Sequence, residues 1–241
     1  MKTIVVGAGV VGMTTAWFLA KRGHQVEVID RDSGSGLGTS YANGGQISVS
    51  QAEPWSNPGA PLKILKWLGR EDAPLLFRMR ADLKQWSWGL RFLFECLPSR
   101  TRHNMLDILR LGIYSRQCLQ ELRQSEELEY HQVTKGILQI HTDESEFTAA
   151  NLRLATLLEY GLDMSVCSTD ELIRIEPALR QSTLPIVGAT YAADDESGDA
   201  HLFTRQLEEA CKRRHDVTFS YDTKVIGFVG SNDSIGGLRT I

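Results

Sequence analysis

The chain has 241 residues, 42% of them hydrophobic, with a formal net charge of −4 and acidic and basic residues mixed along its length. That is enough apolar material for a core in one large domain or two interleaved ones, and no basic block offers a nucleic-acid footprint. Four dispersed cysteines, Cys96, Cys118, Cys167 and Cys211, form no C-x-x-C pair, so no metal site or disulfide framework is indicated and reduced structural thiols in a cytoplasmic protein are expected.

Residues 2–6, "KTIVV", form a β-branched run suited to a buried parallel strand. The glycines that follow argue against reading this start as a signal peptide. "MTTAWFLAKRG" predicts a helix with Ala16, Leu19 and Ala20 on one face and Gly23 as its stop. "HQVEVID" at 24–30 alternates like a second strand. From Ser33 to Ala60, Gly, Ser, Asn and Pro dominate, which predicts loop. Residues 61–127 carry apolar residues at three and four spacing and predict helices. Pro61 and Pro74 suit first-turn positions, and Pro98 is expected to end a helix.

Further on, "KGILQIHT" predicts a strand and "ESEFTAANLRLATLLEYG" a helix stopped by Gly161. "DMSVCS" reads as a short strand, and "TDELIRIEPAL" as a helix with Thr169 as its cap. "GATYAAD" is a strand, "HLFTRQLEEACKRRH" a helix, and the C-terminal stretch strands, the last two joined by a turn at Asn232 and Asp233. No run of about 18 apolar residues is present to span a bilayer. The fold class expected is α/β.

Gly7-Ala8-Gly9-Val10-Val11-Gly12 matches G-x-G-x-x-G between a strand and a helix. Gly7 permits the tight turn, Gly9 lets backbone approach a pyrophosphate, and Gly12 lets helix and strand pack closely. The helix start offers N–H groups and partial positive charge to phosphates. Asp30 closes the next strand about 20 residues on, where a carboxylate can accept from ribose hydroxyls. An ordinary nicotinamide domain would then supply a third strand. Here a polar loop, "TSYANGGQIS", and a helical stretch intervene, an insertion that suits a flavoprotein. Thr39, Ser40 and Asn43 offer hydrogen bonds, and Gly44-Gly45 lets backbone come against a flat ring.

"IVVGAGVVGMTTAWFLAKRGHQVEVID" followed by "TSYANGGQIS" resembles FAD-dependent oxidoreductases of the D-amino-acid oxidase superfamily, nearest to the bacterial D-amino-acid dehydrogenase small-subunit (DadA) type. "DDESGDAHLFTRQLEEAC" resembles that family's second entry into its FAD domain. The resemblance implies a Rossmann-like FAD-binding domain interleaved with an α+β substrate domain. Residues 1–50 would be the first FAD-binding segment, 51–190 part of the substrate domain, and 191–241 the return to the FAD-binding domain.

The resemblance further implies that Gly7, Gly9, Val10, Val11 and Gly12 hold the FAD pyrophosphate, Asp30 the ribose, and Arg31 a place beside the adenosine. Ser40, Asn43, Gly44 and Gly45 would run along the pyrophosphate towards the isoalloxazine, and Val225 would meet the adenine through its backbone. The implied reaction is oxidation of a D-amino acid by hydride transfer, with a quinone or the respiratory chain as acceptor and a peripheral contact with the inner membrane. Neighbouring activities, a glycine or sarcosine oxidase or a D-hydroxyproline dehydrogenase, stay open, as does a non-catalytic nucleotide-binding chain.

No catalytic residue is nominated. His201 reads as a helix-start or surface residue rather than a base. Trp67, Trp86 and Trp88 read as core packing on amphipathic helices, with a membrane- or quinone-facing patch as the alternative. The family's chains are longer, so a fragment or truncated gene product is expected, with weak FAD affinity, no turnover and association through exposed sheet edges.

Overall fold

The computed structural model describes residues 1–67, 81–231 and 234–241. In chain order the elements are β1 (Lys2–Val6), α1 (Val10–Lys21), β2 (Gln25–Ile29), β3 (Gln46–Ile47), α2 (Ala60–Trp67), α3 (Leu83–Glu95), α4 (Pro98–Glu126), β4 (Ile137–His141), α5 (Glu144–Glu159), β5 (Met164–Cys167), α6 (Thr169–Ile175), β6 (Gly188–Ala192), β7 (Glu196–Ser197), α7 (Ala200–His215), β8 (Thr218–Ser220), β9 (Val225–Ser231) and β10 (Ser234–Thr240). Short 3-10 turns cover Val49–Gln51 and Pro177–Gln181. The mixture is α/β, as the sequence indicates. Pro74 and the predicted turn at Asn232 and Asp233 lie outside the described residues.

The chain folds into two compact units, Met1–Ile47 with Cys118–Ile241, and Ser48–Gln117. In the larger unit, β1 pairs in parallel with β2, and β2 with β8, giving the order β1-β2-β8. Val26 and Val28 of β2 are buried, as expected of a central parallel strand. Helix α1 starts at Val10, three residues before the predicted start, and buries Met13, Ala16, Trp17 and Ala20, while Leu19 only packs at the edge of the core. Helix α7 buries Phe203, Leu207, Ala210 and Cys211 in the same cluster. Each large side chain so buried contributes about 1.5–3 kcal/mol.

A second sheet, β4-β6-β5, is antiparallel throughout. Cys167, Leu172 and Ala189 form its small core. Helix α6 is capped by Ser168, not Thr169. Ser168 Oγ accepts from the Glu171 N–H while the Glu171 carboxylate reaches back to the Ser168 N–H. This capping box outcompetes a threonine already inside the first turn. A hairpin of β9 and β10 closes the chain.

In the smaller unit, Asp82 caps α3 by accepting from the Lys84 N–H. Helix α3 stops at Cys96, before Pro98, and Pro98 instead opens α4, where its missing N–H has no partner to lose. The Glu95 carboxylate binds Arg100 Nε and Nη2 at 3.1 and 2.7 Å and Asn104 Nδ2 at 2.8 Å, joining the two helices. Core packing does not hold for Trp86 and Trp88. They are 54% and 57% exposed, and α3 has no buried residue. Its spacing makes an apolar face, but the described elements of this unit do not bury it. Among the described residues no helix is long and apolar enough to cross a membrane.

Candidate cofactor site

The glycine turn is built by backbone crowding. Gly7 has φ +104° and donates its N–H to the Ile29 carbonyl at 2.8 Å, extending the β1–β2 ladder into the turn. A Cβ on Gly12 would lie 1.8 Å from the Gly7 oxygen, so only glycine lets α1 start so close to β1. Gly9 occupies the N-cap and brings no capping side chain. Ser40 Oγ accepts from the Val10 N–H at 3.0 Å, and a Cβ on Gly9 would lie 3.3 Å from that same Oγ. Val11 points outward, 76% exposed.

The Asp30 carboxylate ties this turn to the tip of β2. It accepts from the Ala8 N–H at 2.5 Å and the Asp32 N–H at 2.9 Å. A carboxylate has about four lone-pair sites, so the group keeps capacity for a ribose diol. The Asp30 backbone is fixed too, donating to Ser220 O at 3.0 Å and accepting from the Thr223 N–H at 2.9 Å. Asp222, in the left-handed region at φ +52°, donates to Asp32 O. The chain thus enters β9 beside Asp30, with Val225 half-buried at its first position. Arg31 is exposed, 3.8 Å from the Asp32 carboxylate.

The polar loop wraps over this frame. Gly36 donates to Ala8 O at 2.9 Å. Its own oxygen faces His201 Nδ1 at 3.2 Å, and the His201 ring packs on Tyr41 at 5.0 Å. His201 is therefore a helix-start residue engaged with the loop backbone. Asn43 Oδ1 accepts from the Gly45 N–H at 2.7 Å, an Asx turn that aims the next residues. Gly45 has φ +57°, and its Cβ would fall 2.2 Å from the Gly198 oxygen. The Gly198 N–H donates to Gly45 O at 2.8 Å. Hydrogen bonds thus gather Gly7 to Gly12, Asp30 and Ser40 into one frame. Asn43 to Gly45 are anchored instead on Gly198, and Arg31 and Val225 join through their neighbours.

Under the loop, the buried Glu208 carboxylate meets Lys212 Nζ at 2.6 Å, with Ser35 and Tyr221 beside it. Burial pushes the Glu208 carboxyl up, but Lys212 and the neighbouring Ser35 and Tyr221 hydroxyls together outweigh it, and the net direction is down. Burial and then Glu208 push the Tyr221 phenol up, so it stays neutral. Burial likewise pushes the Cys211 thiol up to about 12, leaving it unreactive. A separate opening of about 420 Å³ lies against the outer half of α7. Its lining mixes Glu126, Glu127 and Glu209 with Arg213 and Arg214, and Arg214 Nε lies 3.0 Å from the Glu126 carboxylate.

Several contributors escape sequence reasoning. Ser35, Gly36, Gly198, Tyr221 and Thr223 act through partners far along the chain. The one local signal is "DESGD", where a glycine precedes the Asp199 that caps α7 through the Leu202 N–H. What the gathered groups offer is a helix start whose N-cap, Gly9, brings no side chain, and an acceptor carboxylate at the adjacent strand tip, the recognition set of a dinucleotide.

Comparison with known proteins agrees. A family model described as "FAD dependent oxidoreductase" matches residues 2–240. The chain is 49% identical over 238 residues to a D-amino acid dehydrogenase of Dechloromonas aromatica (strain RCB), covering 99% of this chain and 57% of that one. It is 47% identical to one of Paramagnetospirillum magneticum (strain ATCC 700264 / AMB-1), covering 100% and 57%. The crystal structure of glycine oxidase from Bacillus cereus ATCC 14579 shares the fold at 20% identity and a TM-score of 0.62, over 98% of this chain and 50% of that one. The chain thus spans little more than half the length of the curated relatives it matches. With the motif, its geometry and a match running nearly end to end, the chain belongs to the family of FAD-dependent oxidoreductases.

Proposed function

We propose that this chain supplies the FAD-binding part, and a share of the substrate-binding part, of an enzyme that oxidises D-amino acids to imino acids, which water then converts to 2-oxo acids and ammonia. The observation that carries this reading is the docking of the polar loop on the glycine turn through Ser40 and Gly36, beside the Asp30 carboxylate that binds the same turn. It gives the pyrophosphate site a second wall. The 49% identity to a D-amino acid dehydrogenase supports the substrate class.

The residues present fit FAD. The start of α1 at Gly9 to Gly12 would take the pyrophosphate, Asp30 the adenosine ribose, and Val225 the adenine through its backbone, with Arg31 beside it. Ser40, Asn43, Gly44 and Gly45 would line the path to the ring. Bound FAD supplies a ring that accepts hydride from the substrate α-carbon. The protein's own task is orientation, worth several kcal/mol of barrier, and exclusion of water from the reacting face. Residues 1–50 and 191–241 would form the cofactor domain and 51–190 part of the substrate domain.

Electrons would pass on to a quinone or the respiratory chain. The exposed Trp86, Trp88 and Phe94 of α3 would suit a peripheral membrane contact of a cytoplasmic enzyme. Strand β1 is at a sheet edge among the described residues, and Ile226, Phe228 and Ile235 of the β9–β10 hairpin are exposed, so association through these edges is expected. Anaerobic mixing of a complete enzyme bearing these 241 residues with D-alanine should bleach its flavin. Bleaching by L-alanine alone would contradict the substrate class.

A further inference from the structure

A buried ion pair lies beside the β3–β7 ladder that ends the polar loop. Glu196 and Arg123 have side chains only 4% and 15% exposed. Arg123 Nη1 donates to Glu196 Oε2 at 2.5 Å and to the Tyr130 hydroxyl at 3.1 Å. Gln120 Nε2 donates to Glu196 Oε1 at 2.7 Å. Glu196 and Tyr130 connect this cluster to the loop. Glu196 pairs with Ile47 and Ser197 with Gln46 across the β3–β7 ladder. Val133 bonds Ser197 from the other side at 2.8 and 3.0 Å. Tyr130 O accepts from the Asp199 N–H at 2.8 Å, and its ring lies against Gly198, where a Cβ would be 2.5 Å from Cδ2. Gly198 in turn holds Gly45.

Stability does not explain such a cluster. Desolvating two charges roughly cancels their attraction, and an apolar pair of similar volume is often as stable. What the pair does is fix geometry. One planar guanidinium sets both Glu196 and Tyr130, and a two-residue ladder alone could not hold a register.

We infer that Glu196 is a positioning residue: clamped by Arg123 and Gln120, it fixes the backbone of Gly44 and Gly45 where the flavin end of the cofactor is to lie. This deepens the FAD reading above and rests on it. The test pairs two measurements on the 241-residue chain, wild type against Glu196→Gln and against the double variant Glu196→Met/Arg123→Met. Amide exchange at Gly45, Gln46 and Ile47 should quicken about tenfold in both variants while protection in α1 and α7 and the melting temperature of the double variant hold. FAD affinity should fall about tenfold, with a changed visible circular dichroism of bound flavin. Unchanged exchange at residues 45–47, or protection lost throughout the core with a lowered melting temperature, would overturn the clamp. A wild-type chain that takes up no FAD would instead overturn the cofactor reading on which the clamp's purpose rests.

Discussion

The two glycine segments, Gly7 to Gly12 and Gly44-Gly45, are crowded by different kinds of neighbour. In the first, the obstacle is five residues away: Gly12 is pressed on the Gly7 oxygen. In the second it is across the fold: Gly45 is pressed on Gly198, itself set by Tyr130, Arg123 and Glu196. A local constraint writes a motif with fixed spacing. A remote one leaves only a pair of glycines in a polar loop, whose purpose appears when the partner is known. The same difference should separate their failures, global for the first and local for the second.

The largest expected effect follows from Gly12→Val. The added carbons have no room against Gly7, and the β1–α1 junction must open. We expect a loss of more than about 4 kcal/mol, the range reserved for such clashes, read as collapse of soluble yield and of the thermal transition. Gly45→Ala should cost roughly 1–3 kcal/mol, combining left-handed strain with the Gly198 contact. Its thermal transition should persist while FAD affinity drops. If Gly45→Ala instead unfolds the chain, the distinction between local and remote crowding is lost.

Glu208 sharpens the comparison, because it is a buried carboxylate paired with Lys212 within a single helix. The folded carboxyl loses its proton more readily than the unfolded one, so in acid the unfolded chain binds more protons. Its stabilisation is complete above the ordinary carboxylate pKa and disappears as pH falls through the folded value. Glu208→Gln should therefore be less stable by roughly 1–2 kcal/mol at neutral pH, with a shallower loss of stability between about pH 5 and 3 in denaturant titrations. The smallest stability effect belongs to Gly9→Ala. Its Cβ meets only a serine hydroxyl at 3.3 Å, so stability should change by less than about 1 kcal/mol. FAD affinity should still fall, because the methyl group would stand where we propose that the pyrophosphate approaches.

The legible parts of the fold were those with local causes. The βαβ unit could be read because β-branched strands, turn glycines and a closing Asp30 all act within their own neighbourhood. Strand and helix periodicity likewise gave β4, α5, β6 and α7. The cap of α6 was misplaced by one residue because serine and threonine stand side by side, and only the reach of Glu171 back to Ser168 decides between them. Trp86 and Trp88 misled because amphipathic spacing shows that a face exists, not that anything covers it. In the candidate site, Asp30 and Ser40 stood out by type and place, and both bond the glycine turn. Glu196, Arg123, Gly198 and Tyr221 were not, since each draws its meaning from a partner in another element.

The most direct measurement is a titration of the purified 241-residue chain with FAD and, separately, with NADH, following flavin fluorescence and heat, with Gly9→Ala alongside. The expected result is saturable binding of one FAD per chain, weakened in Gly9→Ala and undisturbed by NADH. Tight binding of NADH without affinity for FAD would contradict a glycine turn and polar loop built for a flavin dinucleotide.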